Sequence, residues 1–303
     1  MNDEENSILI TEDNPRLAEL KKSWVTAIFS SEDGIGPMES LHQAGDSIVA
    51  VATMTEEGAM VIGGGVMIGP GLMLTASHVL EEFPKEGSGP VCLTFLPGTA
   101  RAWLPRGRTT VAGASAFGPD RRVVSDLTLM SCALNSDAHE EFPLALAPIQ
   151  LVLPLIGERL WAFGYRHGDI VDEAALLSPI VTSGVVTACF PQGRGERMPS
   201  VCIEVAMDTI GGMSGGPVVN GDGRLVGIVS SSFEGGPTYV TLVWDAIRIS
   251  VSGAPTEVWP GDEADLLLGR DLGLVKIRGS VGRDEMGNVV VTMSTPEMEQ
   301  LVQ

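Results

Sequence analysis

Basic residues are scarce in this sequence: 19 Lys and Arg stand against 39 Asp and Glu, a formal net charge of −20 over 303 residues. Binding to a phosphate backbone releases counterions from clustered Lys and Arg, so nucleic acid is excluded as a partner. Cysteine is confined to Cys92, Cys132, Cys189 and Cys202, with no CxxC pair, and there is no HExxH and only four scattered His. The expectation is therefore no metal site and no cofactor. No apolar run is unbroken enough to span a bilayer: residues 59–80 hold five Gly and a Pro, and residues 142–157 are interrupted by Pro143, Pro148 and Pro154. A membrane is not an expected partner. The opening stretch, MNDEENSILITEDN, is acidic where a secretory signal carries basic residues before an apolar core, so a cytoplasmic location with reduced thiols is expected.

What is present is apolar and turn-rich. Hydrophobic residues make up 44% of the chain, aromatics only 5%, and 37 Gly and 19 Pro punctuate it. That excludes a disordered acidic chain and leans towards an all-β protein. Residues 1–45 read as an acidic leader with one helix, Asn14-Pro15 opening RLAELKKSWVTAIF at helical spacing. From residue 46 to 254 short β-branched runs such as SIVAVATMT, LMLTASHVL, RLWAFGY, PIVTSGVVTACF and RLVGIVSSSF alternate with Gly, Pro, Asp and Asn turns. This is the spacing of barrels or sandwiches. Beyond it, 255–303 is too small for an independent domain; residues 255–262 read as a linker, LVKIRGSVGRDEMGNVVVTMS as a hairpin turning at Met286-Gly287-Asn288, and TPEMEQLVQ as a terminal helix.

Three segments carry chemistry. Ser214 lies in IGGMSGGPVV, where flanking glycines let the backbone turn sharply, expose the hydroxyl and aim amide N–H groups at a developing oxyanion. The same residues satisfy GxSxG, but an α/β-hydrolase places its His after the Ser, and His42, His78, His139 and His167 all precede it. An order of His, Asp, Ser remains open. His78 ends an apolar strand in TASHV, between small residues that hold a ring rigidly. Asp126, in SDLTLM, heads an apolar alternating stretch; a carboxylate there either opens a strand at a turn or bonds an imidazole.

Together TASHV, SDLTLM and GMSGGPVV, with AFGY, VTSGVVTA and LVGIVSSS between and after them, resemble the trypsin-like serine peptidases of the chymotrypsin fold, closest to the bacterial HtrA-like branch. The resemblance covers about residues 46–250. It implies two antiparallel six-stranded β-barrels, about 46–150 and 151–254. It also implies a catalytic triad of His78, Asp126 and Ser214, an oxyanion hole from the amides of Gly212 and Ser214, and a protein or peptide substrate. Asp208, six residues before Ser214, stands at the base of the primary specificity pocket. A buried carboxylate there implies Arg or Lys before the scissile bond, while DTIGGMSG also resembles the glutamyl endopeptidases and the HtrA branch prefers small apolar residues. Ser230, Ser231 and Ser232 would line the pocket wall, facing Pro237 and Tyr239.

Some features depart from the family. Met213 occupies the place of the Asp that captures the new N-terminus in digestive relatives, so activation by that ion pair is not expected; the oxyanion loop would instead be ordered by a partner or substrate. The tail supplies no PDZ domain. The leader and the tail carry −6 and −5 of the −20 charge, which marks these flanks as expected sites of partner contact or self-regulation. Three functions are left in competition: a regulated serine endopeptidase, a partner-activated signalling or defence protease with one dedicated substrate, and a silent peptide-binding pseudoprotease.

Overall fold

The structure, a computed structural model, describes all residues except 1–8, 12, 25–35, 38–44, 56–57, 82–87, 116–117, 167–169, 172–173, 176–177, 196–197, 233–235, 287–288 and 293–303. The first six of its barrel strands are β1 (Val49–Thr55), β2 (Gly58–Gly69), β3 (Leu72–Thr75), β4 (Ser88–Leu96), β5 (Thr99–Ser115) and β6 (Gly118–Leu134). They close in the order β1-β2-β3-β6-β5-β4, with β4 returning to β1. Strands β7 (Arg159–Arg166), β8 (Ser178–Phe190), β9 (Cys202–Ala206), β10 (Pro217–Val219), β11 (Leu225–Ser232) and β12 (Thr238–Leu242) repeat that order as β7-β8-β9-β12-β11-β10, with β10 returning to β7. Every pairing within the two barrels is antiparallel. Closure leaves no barrel strand with an unpaired edge, which is how short, apolar, Gly-punctuated strands avoid joining edge to edge.

Alternating side chains fill three cores. One lies inside the first barrel around Met67, Met73, Trp103 and Met130, and another inside the second around Ile203, Val205, Val226 and Val240. The third joins the barrels: Ile48, Phe95, Phe163, Tyr165, Val181 and Val219 pack across the contact. There the Tyr165 ring meets Phe95 edge-on at 5.6 Å and its hydroxyl donates to the Ile48 carbonyl at 3.4 Å. Burial pushes the Tyr165 hydroxyl far above its ordinary pKa, so it stays a donor.

One fully buried ion pair anchors the start of the first barrel. Asp46 and Arg101 have no exposed side-chain surface and meet at 2.6 Å. Arg101 also donates to the carbonyls of Ala138 at 3.0 Å and Phe142 at 2.8 Å, while Asp46 accepts from the Thr94 hydroxyl at 2.7 Å and the Ala145 amide at 3.0 Å. Among the buried thiols, burial pushes Cys202 up to about 11, and hydrogen bonding with Cys92 together with burial raises Cys132 well above its usual value. All four cysteines are free.

The flanks depart from their expected forms. The leader helix is a single 3-10 turn over Pro15–Glu19, capped by the Asn14 side chain, and Leu17 and Leu20 are buried against the first barrel. The chain then extends as Lys22–Trp24, parallel to Leu144–Leu146. Pairing with this buried strand wins over continuation of the helix. The segment expected as a linker, 255–262, is packed: Trp259 is buried and its indole donates to the Pro70 carbonyl at 2.9 Å. A short helix, Leu266–Asp271, follows, capped by Asp265. The tail hairpin pairs Ser280–Arg283 with Val289–Thr292, and the expected terminal helix lies outside the described residues. Among the described residues, no helix is long and apolar enough to cross a membrane.

Candidate active site

Antiparallel register brings His78 and Asp126 together. Thr75, the last residue of β3, lies opposite Thr128 of β6, so continuing past Thr75 and stepping back from Thr128 lead to the same end of the sheet. The chain turns there into one helical turn, α1 (Ser77–Glu81), which swings the His78 ring over β6. Its Nδ1 lies 3.0 Å from both carboxylate oxygens of Asp126, and its backbone N–H donates to Asp126 Oδ1 at 3.0 Å. Asp126 is therefore inside a long strand rather than at a turn that opens one. Two N–H groups of one residue orient its carboxylate, and the carboxylate in turn fixes the ring.

Ser214 arrives from the second barrel, on the turn between β9 and β10. Gly212 and Gly215 adopt φ of +93° and +79°, a region that side-chain-bearing residues avoid. In this loop the amide of Met213 donates to Ile210, that of Gly215 to Val229 and that of Gly216 to Met213, at 3.1, 2.7 and 2.9 Å. Among the described residues, the amides of Gly212 and Ser214 donate to no protein acceptor. Met213 is fully buried in the second-barrel core, with its backbone so close to Gly164 that a Cβ on Gly164 would lie 2.8 Å from the Met213 Cα. Its apolar side chain thus anchors the loop from within.

The triple glycine of β2, Gly63–Gly65, clasps this loop to the first barrel. Gly64 donates its N–H to the Ser214 carbonyl at 2.7 Å, and its own carbonyl accepts from the Thr75 hydroxyl at 2.7 Å. A Cβ on Gly64 would sit 2.9 Å from the Gly216 Cα, and one on Gly63 would strike Val79, the neighbour of His78. The strand that holds the Ser214 carbonyl is thus hydrogen-bonded to Thr75, the first residue of TASHV. Gly64→Ala is expected to push the barrels apart at the site and lower kcat about tenfold to a hundredfold, in line with the cost of roughly ångström-scale misplacement. The checks are steady-state hydrolysis of a peptide library and a thermal melt; unchanged kcat would remove the clasp from the account.

The specificity residues are placed differently from the expectation. Asp208 is exposed, not buried at a pocket base: the preceding Met207 takes the inward position in the core, so chain alternation turns Asp208 outward. With Glu204, Thr187, Arg159 and Pro237 it lines an open cavity of about 650 Å³ on the second barrel. Ser230 is buried and its hydroxyl is taken up by Thr241 at 2.6 Å, at a bulge between Val229 and Ser231. Ser231 and Ser232 pair with Tyr239 and Thr238 of β12. Tyr239 turns its hydroxyl to Glu204 at 2.8 Å. Hydrogen bonds from Thr187 and then Tyr239 hold the Glu204 carboxyl below its usual range. No cluster among the described residues could hold a metal ion.

Sequence reading missed Thr75 and the clasp, although three consecutive glycines inside an apolar strand are a signal of close backbone approach. It also missed the hydroxyl-bearing Ser77 and Thr128 beside the His78–Asp126 pair.

No curated protein sequence matches the chain. Solved structures that align with it include human heparin binding protein, 17% identical, with a TM-score of 0.48 over 70% of this chain and 92% of that one. Neuropsin, a serine protease expressed in the limbic system of mouse brain, is 19% identical, with a TM-score of 0.48 over 69% of this chain and 93% of that one. The family model of the trypsin-like peptidase domain matches residues 63–228, more than half of the sequence, without singling out the HtrA branch. That span contains His78, Asp126 and Ser214, and the chain belongs to the trypsin-like peptidase family.

Proposed function

We propose that this protein is a serine endopeptidase that cleaves a protein or peptide substrate through an acyl-enzyme. One observation carries the reading: Asp126 holds His78 Nδ1 at 3.0 Å with both carboxylate oxygens, leaving Nε2 as the nitrogen able to serve as base. The loop of Ser214, pinned to Gly64 at 2.7 Å, supports it.

In this mechanism the Ser214 Oγ attacks the scissile carbonyl as His78 Nε2 takes its proton. Negative charge develops on the carbonyl oxygen, and the amides of Gly212 and Ser214 are the donors to receive it. Asp126 keeps the Nδ1 proton in place and stabilises the imidazolium. The tetrahedral intermediate collapses, His78 returns the proton to the leaving amine, and water, deprotonated by His78, then releases the acid from Ser214. The backbone of Ser231 and Ser232 would pair with an extended substrate beside the site. The cytoplasm is the proposed setting, with no metal, cofactor, nucleic acid or membrane required.

The test is fluorophosphonate labelling of the full chain followed by peptide mass spectrometry. The expected result is one adduct, on Ser214, that disappears in Ser214→Ala. A wild-type protein that takes no label but still binds extended peptides would overturn catalysis in favour of a silent binding module. Mapping new protein N-termini with the same control then reads the specificity.

A further inference from the structure

We infer that Ser77 and Thr128 are positioning residues for the His78–Asp126 pair, acting through a one-way chain of hydroxyl hydrogen bonds buried beneath it. The inference rests on the peptidase reading and deepens it. Ser77 immediately precedes His78, and its Oγ donates to the carbonyl of Ser125, the residue immediately before Asp126, at 2.9 Å. That bond ties together the two peptide units from which the ring and the carboxylate project. Ser77 Oγ also lies 2.8 Å from Thr128 Oγ1, and Thr128 Oγ1 lies 2.7 Å from Thr110 Oγ1.

Each hydroxyl has a single proton, so the direction of the chain is determined. The proton of Ser77 is on the Ser125 carbonyl; Thr128 therefore donates to Ser77, and Thr110 to Thr128. The dipoles of three hydroxyls align towards the backbone at Asp126, and each strengthens the next. Ser77, Thr128 and Ser125 are all buried, so no water competes for the bonds from Thr128 to Ser77 and from Ser77 to Ser125.

The placement follows from the sheet. Thr75, Thr128 and Thr110 stand directly opposite one another on β3, β6 and β5, so their side chains share one face. At one end of this row Thr75 supports Gly64, which holds the Ser214 carbonyl; from its middle Thr128 supports Ser77. From the far side, Ser125 Oγ meets Ser200 Oγ of the second barrel at 2.5 Å. Asp126 itself accepts only from the two N–H groups of His78 among the described residues. Its backbone, rather than further donors to its carboxylate, is what the hydroxyls hold.

The experiment compares wild type with Thr128→Val, Thr128→Ser and Ser77→Ala. Two readouts are taken: kcat and KM on one peptide substrate, and the low-field proton resonance of the His78 Nδ1–H bonded to Asp126. Thr128→Val keeps the shape and removes the hydroxyl; it and Ser77→Ala are expected to lower kcat about tenfold with KM within about twofold, the mark of misaligned groups rather than lost binding. Both should shift and broaden the resonance, and Thr128→Ser should restore both readouts. Wild-type kcat and resonance in folded Thr128→Val and Ser77→Ala would overturn the inference, and two variants guard against one failing to fold. If wild type itself makes no Ser214-dependent product, the peptidase reading fails, and the resonance comparison alone then decides the positioning role.

Discussion

Asp126→Asn is expected to lower kcat by about 10⁴ while leaving the barrels folded, which corresponds to roughly 5 kcal/mol of lost transition-state stabilisation. The size follows from the hydrogen-bond inventory. Asp126 accepts from two donors of one residue, the His78 backbone N–H and Nδ1, each at 3.0 Å. The backbone N–H is a donor in every protonation state, so an Asn must turn its single carbonyl oxygen towards it. The NH2 group then faces Nδ1 and forces that nitrogen to accept. The ring proton moves to Nε2, the nitrogen that has to take the Ser214 proton, and the base is lost although every heavy atom stays in place. KM should change little. Peptide hydrolysis and a thermal melt on the same preparation decide it; a kcat within about tenfold of wild type would mean that Asp126 does not set the tautomer.

The barrel strands and the three chemical segments were legible because their signals are local. Period-two apolar runs, turn residues at short intervals and glycines around one Ser survive in a linear reading. Asp126 was less so: the same residue fits a turn or a ladder, and only the register of Thr75 against Thr128 places it under the ring. The exposure of Asp208 was not legible for a related reason. Its distance from Ser214 is a family spacing, but its exposure is decided by which neighbour, Met207, enters the core. The clasp at Gly64 and the hydroxyl chain from Thr110 to Ser125 join residues up to 150 positions apart, as in the bond from Gly64 to Ser214. No single-sequence pattern carries such pairings.

The flanks changed most between sequence and structure. Their charge pointed outward, to partners, yet their described parts converge on the connection between the barrels. Lys22–Trp24 runs parallel to Leu144–Leu146, and Ile277–Arg278 runs parallel to Ile149–Gln150, whose Ile149 also pairs with Leu225 of β11. Lys276 and Trp24 meet in a cation–π contact at 5.7 Å, so leader and tail touch. The described parts of both flanks thus pack on the connection between the two barrels.

Arg101→Met is expected to cost about 3–5 kcal/mol of stability, the range for removing one member of a buried pair and leaving the other charge uncompensated. Met fills much of the space of the Arg stem, so the loss is not a cavity effect. Asp46, with no exposed surface, keeps among the described residues only the Thr94 hydroxyl and the Ala145 amide as donors. The carbonyls of Ala138 and Phe142 lose their guanidinium donor at the same time. Against a total of about 5–15 kcal/mol for an ordinary domain, this is enough to populate the unfolded state. The double variant Asp46→Leu with Arg101→Met should recover part of the loss, because the charge is gone, but not all of it, because those carbonyls stay unpaired. Urea unfolding of wild type, both single variants and the double variant measures the coupling directly. A cost below about 1 kcal/mol for Arg101→Met would place the pair among weak surface bridges and contradict its burial.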